Sequence, residues 1–163
     1  MTKAASKSAR FTRALVALTV GGATFLGLSG WAAAAPAPPG MSASTMAVVF
    51  EWAIDVERAR YGLDPLAVDP AVSGQAQTWS GGMALYNTLV EDRSYGAELT
   101  AAIPSWHVAA ENVGVGSTAS IVESAFMASA PHRANVLGNF THMGVGVVID
   151  GSGQIWVTER FYS

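Results

Sequence analysis

Histidines and carboxylates are the side chains of this sequence whose types suit acid–base or metal chemistry. The 163-residue chain contains three histidines, His107, His132 and His142, and no cysteine. Neither the GxSxG pattern of serine hydrolases nor the HExxH pattern of zinc proteases occurs in it. Any chemistry is therefore expected to depend on a histidine acting with carboxylates, rather than on a serine or cysteine nucleophile.

Two of these side chains lie in distinctive stretches. His132 stands in SAPHRANVLGNF, between a proline and an arginine, and Glu111 lies in the apolar, glycine-rich AENVGVG. A partly buried carboxylate has a raised pKa, so Glu111 is a candidate general base or metal ligand. For both Glu111 and His132, the sequence alone also allows a purely structural role. Glu111 could accept backbone N–H bonds that hold its loop, and His132 could be hydrogen-bonded near the start of a helix.

Hydrophobic periodicity predicts the first two elements that position these residues. Apolar residues recur at three- and four-residue spacing from Met46 to Ile54, which predicts an amphipathic helix ending at Gly62. Asp69-Pro70 predicts the start of a second helix, with the carboxylate as N-cap and the proline at the first helical position. A Gly-Gly pair at 81–82 inside this helix indicates either close packing or a weak point.

The second half of the chain mixes helices with a hairpin. From 91 to 116 the periodicity fails, which predicts a long loop with at most one helical turn. A third helix follows, with Ser120 and Glu123 as a capping box and its apolar residues, Ile121 included, facing inward. Pro131 predicts a short helical turn carrying His132. The alternating residues 143–149, a DGSG turn and QIWVTERFYS then predict a β-hairpin.

Both faces of this hairpin are largely apolar, so helices are expected to cover each side. The sequence therefore predicts an α+β fold, a three-layer α-β-α sandwich with a small, mainly antiparallel sheet.

The N-terminus has the pattern of a secretory signal peptide. A basic start, an uncharged apolar run and small residues predict a leader over 1–34, a Pro/Ala-rich linker over 35–43 and one domain over 44–163. A retained membrane anchor is the alternative, because the apolar run approaches the length that spans a membrane. Without the leader, five arginines face twelve Asp and Glu residues, a formal charge of −7. This charge argues against nucleic acid and anionic membrane as partners. The expected location is extracellular, with membrane contact only through the leader before cleavage.

Four ordered motifs then suggest a family. ARYGLDPLAVDPAVSGQAQTWSGGMA, WHVAAENVGVG, FMASAPHRANVLGNFTHMGVGVV and IWVTERF, spread over about residues 46–162, resemble a bacterial CAP-superfamily domain. This family comprises cysteine-rich secretory, antigen 5 and pathogenesis-related proteins, and its domain is also called SCP. The resemblance implies an α-β-α sandwich with a cleft lined by up to two histidines and two acidic residues, and some members bind zinc there.

The resemblance carries over residue by residue. Glu111 matches the glutamate of the family's GEN motif, with Ala110 in place of its glycine, and His132 matches the histidine of SPGHRANIL. Glu91 stands where the other histidine is usual, and Ser129 stands at the second acidic position. The implied binding cleft is Glu91, Glu111, His132 and Ser129, with His132 as the candidate metal-ligating histidine.

The resemblance leaves the metal open. Glu91, Glu111 and His132 could form a zinc site with an open water position, but one histidine in place of two weakens the ligand set. Without a cation, Glu91 and Glu111 would repel and one should hold a proton. No cofactor is firmly implied, and a divalent metal such as zinc is the candidate. His107 could swing into the cleft, whereas His142 is expected to lie at the surface or to pack at the strand start.

Three functions follow. The first is a secreted, non-catalytic binding module for an envelope-associated or apolar ligand, such as lipid or cell-wall material. The second is a metal-assisted hydrolase using Glu111 and His132, and the third is a structural domain with a vestigial cleft. Enzymatic activity is not favoured, because the sequence shows neither a nucleophile nor a clear oxyanion donor.

Overall fold

The structure is a computed structural model that describes residues 10–13 and 41–163. Most of the predicted leader and linker lies outside the described residues, so the leader, the linker and the boundary at residue 34 stay predictions. Residues 10–13 of the predicted leader form the outermost strand on one side of the sheet.

Five strands and five helices make up the described part of the chain. In order they are β1 (Arg10–Arg13), α1 (Ala43–Arg60), β2 (Ala67–Val68), α2 (Pro70–Tyr86), α3 (Tyr95–Ala102), β3 (Val108–Gly116), α4 (Ala119–Ala128), α5 (Ala130–Val136), β4 (His142–Ile149) and β5 (Ile155–Tyr162).

The strands form one sheet in the order β1-β3-β5-β4-β2. The three long central strands are antiparallel neighbours, and the short β1 and β2 each pair in parallel at an edge. Apolar residues of α1, α4 and α5 pack on one face of the sheet, and those of α2 and α3 pack on the other. The predicted three-layer α-β-α sandwich is confirmed.

Helix α2 starts at a local capping signal, and it lies directly on the sheet because β4 carries a glycine beneath it. The Asp69 carboxylate accepts the Ala71 and Val72 amides at 2.8 and 3.3 Å, as expected for an N-cap. A Cβ at Gly146 of β4 would collide with the amide nitrogen of Gln77, so only glycine allows the helix this close.

The predicted loop over 91–116 is wrong in two places. It contains the two-turn helix α3 and all nine residues of β3. Strand β3 is covered on both faces of the sheet, and nearly all of its residues are buried. Its sequence therefore lacks the alternation of polar and apolar residues that reveals a half-exposed strand. Helix α3 spans only eight residues, too few for a clear helical period.

The predicted start of α4 is also wrong. Thr118, not Ser120, caps the helix, and its hydroxyl accepts the Ile121 amide at 3.2 Å. Glu123 therefore has no capping role and turns into the protein, where it is buried. Ile121 is exposed instead of facing inward. At 81–82 of α2, an added Cβ would meet nothing within 4 Å, so this Gly-Gly pair is a weak point and not a close contact.

Within residues 10–13 and 41–163, no helix has both the length and the apolar character needed to cross a membrane.

Candidate functional site

An apolar pocket opens at the edge of the sheet where β1 ends. The last β1 residue pairs with Glu111, so no described strand covers the outer edge of the following β3 residues. The pocket is shallow, with a cavity volume of about 30 Å³, and it opens to solvent. Its lining is almost entirely apolar and comprises Leu89, Val113, Gly114, Val115, Ile121, Val122, Ala125, Phe126, Ser129 and His132.

His132 is the titratable side chain in this lining. Helix α5 carries it directly after Pro131, and the residue is only 2% exposed. Its Nδ1 lies 2.9 Å from the Ser129 hydroxyl, and its ring centre lies 4.9 Å from that of Phe126. Among the described residues, Nε2 has no hydrogen-bond partner although it is buried. The two predicted cleft residues His132 and Ser129 therefore do lie together.

Burial lowers the pKa of His132 below its ordinary value. The imidazole is consequently neutral at physiological pH. Nδ1 is hydrogen-bonded to Ser129. Nε2 can also form a hydrogen bond, and the apolar pocket supplies no partner for it.

Glu111 does not line this pocket. Neighbouring strand residues point to opposite faces of a sheet, and the Glu111 carboxylate turns toward α3 while Asn112 turns toward α5. Glu111 accepts the Asp92 amide at 2.7 Å and the Arg160 Nε–H at 2.9 Å, so both its oxygens are engaged. Burial raises its pKa to about 7, against the opposing charge of Arg160.

Arg160, which sequence reasoning did not single out, organises this second cluster. The side chain is fully buried on β5 and forms ion pairs with Asp92, Glu98 and Glu111, the Glu98 pair at 3.0 Å. Its guanidinium also lies 4.4 Å from the centre of the Tyr95 ring, in cation–π geometry. The available signal was the pair of adjacent charged residues, Glu159 and Arg160, inside the hairpin strand IWVTERF, because a charge that becomes buried requires partners.

The predicted zinc ligands do not form one group. Glu91 is half-buried next to Asp92 and does not line the pocket that holds His132. Within the described ranges, no three His, Asp or Glu side chains lie close enough together to hold a metal ion. Because Glu111 is also committed to Arg160, this donor set does not fit a zinc site.

The two other histidines lie outside the pocket lining. His107 is exposed just before β3, where its amide donates to the Ser163 carbonyl at 2.7 Å. His142 begins β4, stacks on Tyr162 at 4.7 Å and contacts the Thr141 hydroxyl at 2.8 Å.

A buried carboxyl pair on the α4 side of the sheet was also missed. Glu159 of β5 accepts the Asn112 side-chain amide at 3.0 Å, and Asn135 donates to Asn112 at 2.8 Å. Glu123 of α4 faces Glu159, and burial together with this neighbouring carboxyl raises the pKa of Glu123 to about 11. The pair therefore holds a proton at neutral pH.

Comparison with known proteins places this geometry in context. The model of the CAP family, described as the cysteine-rich secretory protein family, matches residues 53–161. A protein of Bacillus subtilis (strain 168), described as uncharacterized protein YkwD, is 37% identical over 113 residues, which are 66% of this chain and 43% of that protein. This chain thus spans less than half of that relative's length.

Solved structures share the fold at low sequence identity. An outer surface protein from Borrelia burgdorferi superposes with a TM-score of 0.67 at 13% identity, covering 76% of this chain and 96% of that one. An extracellular protein containing an SCP domain from Bacillus anthracis superposes with a TM-score of 0.62 at 22% identity, covering 77% of this chain and 45% of that one. These likenesses support the sandwich architecture.

Proposed function

The chain belongs to the cysteine-rich secretory protein (CAP) family, and from this premise we propose that it is a non-catalytic binding module for an apolar ligand carrying one neutral polar group. One observation carries the proposal. The buried Nε2 of His132 has no hydrogen-bond partner among the described residues, and it belongs to a pocket with an apolar lining. An unsatisfied buried polar atom costs about 1–3 kcal/mol, which a ligand hydroxyl would recover.

The ligand's polar group is expected to be neutral. The imidazole itself is uncharged, because burial lowers its pKa, and the pocket lining contains no arginine or lysine. A charged headgroup would lose its hydration there without gaining a counter-ion. An alcohol on an alkyl or ring skeleton suits both the apolar walls and the single free nitrogen.

We further propose that the protein is secreted and that its ligand is a lipid or cell-wall component of the envelope. The leader-like start of the sequence supports this, as do structural neighbours described as an outer surface protein and an extracellular protein. The formal charge of −7 outside the leader argues against nucleic acid as a partner.

The hydrolase alternative receives no support from the geometry. Glu111 does not line the pocket that holds His132, and among the described residues its carboxylate makes hydrogen bonds to the Asp92 amide and Arg160 and none to the imidazole. Both oxygens of Glu111 are also occupied by the Asp92 amide and Arg160, which leaves neither free to activate water.

Calorimetric titration with 1-octanol tests the proposal. We expect saturable binding by the parent protein and at least tenfold weaker binding by His132→Phe, which fills the site without offering a hydrogen bond. Sodium octanoate should bind more weakly than the alcohol because its carboxylate must be desolvated. The exposed His107→Phe serves as the matched control and should retain parental affinity.

Two results would contradict the proposal. If the alcohol binds parent and His132→Phe equally, the imidazole is not the recognition point. If the parent does not bind and His132→Phe only lowers the melting temperature, the vestigial, structural role is correct instead.

A further inference from the structure

An exposed apolar surface lies where α2 ends. Leu85 and Tyr86, in the last turn of the helix, are each 76% exposed, and Val90 of the following segment is also exposed. Tyr86 and Val90 line one open groove on this surface. The Trp79 indole N–H donates to the Val90 carbonyl at 2.8 Å, which ties the segment after α2 to the helix. We call Leu85, Tyr86 and Val90 the α2 patch.

The α2 patch is continuous with the mouth of the His132 pocket. Leu89, which precedes the last patch residue in the sequence, lines that pocket, and so does the exposed Ile121. Met83 of the patch groove and Val113 of the pocket pack in one buried cluster, with Leu89 against it. One apolar surface therefore extends from the end of α2 to the pocket.

This surface is built from uncharged sequence. Segments 81–90 and 113–122, which supply the α2 patch and much of the pocket lining, contain no Asp, Glu, Lys, Arg or His. The chain outside the predicted leader has five arginines against twelve Asp and Glu residues. A contiguous exposed apolar patch on a charged protein marks an interaction site, and its lack of ionic groups favours an apolar, uncharged partner.

The His132 pocket is too small to hold a whole ligand. Its cavity of about 30 Å³ equals the volume that one water molecule takes up in the liquid. It can accept the hydroxyl end of a ligand at His132 but not the rest of an apolar skeleton. That skeleton must stay outside the pocket, where contact with water is unfavourable unless another apolar phase receives it.

We propose that the α2 patch and the pocket mouth dock on the surface of an uncharged lipid bilayer, where His132 receives the hydroxyl end of a ligand whose skeleton stays among the lipids. The inference rests on the proposed function, because it takes the His132 pocket as the hydroxyl site. Leu85 suits the boundary of the acyl chains, and the Tyr86 ring suits the headgroup level, where tyrosine is enriched. The formal charge of −7 outside the leader favours zwitterionic over anionic lipid.

Docking is confined to the bilayer surface. Among the described residues, no strand pairs with the outer edge of β3 after Glu111, and this edge lies beside the pocket. Its backbone N–H and C=O groups need water or lipid headgroups as partners, which the hydrocarbon core does not supply.

Fluorophores at single positions test this docking in the full chain. The chain has no cysteine, so Thr88→Cys in the patch groove and Trp52→Cys on α1 each take one environment-sensitive label. With phosphatidylcholine vesicles we expect a blue shift at Thr88→Cys and none at Trp52→Cys, which lines a separate groove between α1 and α4. Because each label reports its own surroundings, membrane contact by the predicted leader does not produce this difference.

Substitution of the patch measures its contribution. In the Thr88→Cys background, Leu85→Ser with Tyr86→Ser should require at least tenfold more lipid for half of the shift, because two large apolar side chains no longer leave water. Val48→Ser, which removes an exposed apolar side chain from α1, should stay within twofold of the parent. Raising NaCl from about 0.1 M to about 1 M should not weaken docking, because no ion pair contributes to it.

Four results would overturn the inference: no shift at Thr88→Cys with vesicles, equal shifts at Thr88→Cys and Trp52→Cys, an unchanged lipid requirement after Leu85→Ser with Tyr86→Ser, or loss of docking at high salt. A shift at Thr88→Cys that depends on protein concentration and needs no lipid would assign the patch to a second copy of the chain instead.

The docking surface and the hydroxyl site can fail separately. Docking is measured without octanol, and octanol binding is measured without vesicles. Octanol binding without docking would refute the docking surface alone. Docking without octanol binding would refute the proposed function, and with it the placement of the ligand's hydroxyl at His132.

Discussion

At the scale of single residues, three buried polar groups lie on or beside the strand pair β3–β5. His132 has an unsatisfied nitrogen in an apolar pocket, Arg160 gathers three carboxylates, and Glu123 shares a proton with Glu159. Burial is the common physical cause: it makes the histidine neutral, makes the arginine dependent on its partners and keeps a carboxyl protonated.

The carboxyl pair predicts an unusual dependence of stability on pH. The pKa of Glu123 is raised to about 11 in the folded protein, far above its value in the unfolded chain. Its contribution to stability is therefore fully present below about pH 4 and is lost as pH rises toward 11. Glu123→Gln keeps the shape and a hydrogen-bond donor but removes this titration.

Thermal melts at pH 5, 7 and 9 check this expectation. The parent's melting temperature should fall across the series, and Glu123→Gln should flatten the decline and be more stable than the parent at pH 9. Glu57→Gln, on α1 and only partly buried, removes just the smallest cause of the raised pKa and should keep most of the parent's decline. Parallel curves for the parent and Glu123→Gln would show that the pair does not share a proton.

Sequence reasoning found part of this chemistry and missed the rest for identifiable reasons. His132 and Ser129 were found because SAPHRANVL matches a family motif, and the structure does bring the two side chains together. Glu123 was missed because Ser120-x-x-Glu123 fits a capping box, while the true cap, Thr118, lies two residues earlier. Only the position of the helix start decides which way the carboxylate turns.

At the scale of elements, the contact of α2 with β4 positions the sheet against its helical cover. The Asp69-Pro70 start was predictable, since a capping carboxylate and a proline at the first helical position act locally. The distance between α2 and β4 was not predictable, because it depends on glycines of β4, which lies far from α2 in the sequence.

Paired glycine substitutions test this contact. Gly146→Ala should destabilise the protein by about 3 kcal/mol, because its Cβ would collide with the α2 backbone at Gln77. Gly81→Ala, inside α2 where an added Cβ meets nothing within 4 Å, should stabilise it by about 0.5–1 kcal/mol. Urea unfolding of both variants gives the two values. A Gly146→Ala variant as stable as the parent would show that α2 does not approach β4 this closely.

At the scale of the whole molecule, the central sheet keeps two polar systems apart. In the β3–β5 register Glu111 is opposite Arg160 and Asn112 is opposite Glu159. The first pair faces α3 and the second faces α4 and α5, because successive residues alternate between faces. The sandwich architecture followed from the helix and hairpin patterns. The placement of the two polar pairs on opposite faces could not be predicted. It results from the alternation of side chains along β3, and residues 91–116 were predicted to be a loop instead of containing this strand.

The central claim is that the apolar pocket binds a ligand through His132, and NMR titration of the ¹⁵N-labelled protein with 1-octanol tests it most directly. We expect a large change in the Nε2 resonance of His132, together with amide shifts at the pocket residues Val113, Val115 and Phe126. The imidazole of His142, stacked on Tyr162 outside the pocket, should not change. An unchanged His132 ring while octanol shifts amides elsewhere would contradict the claim.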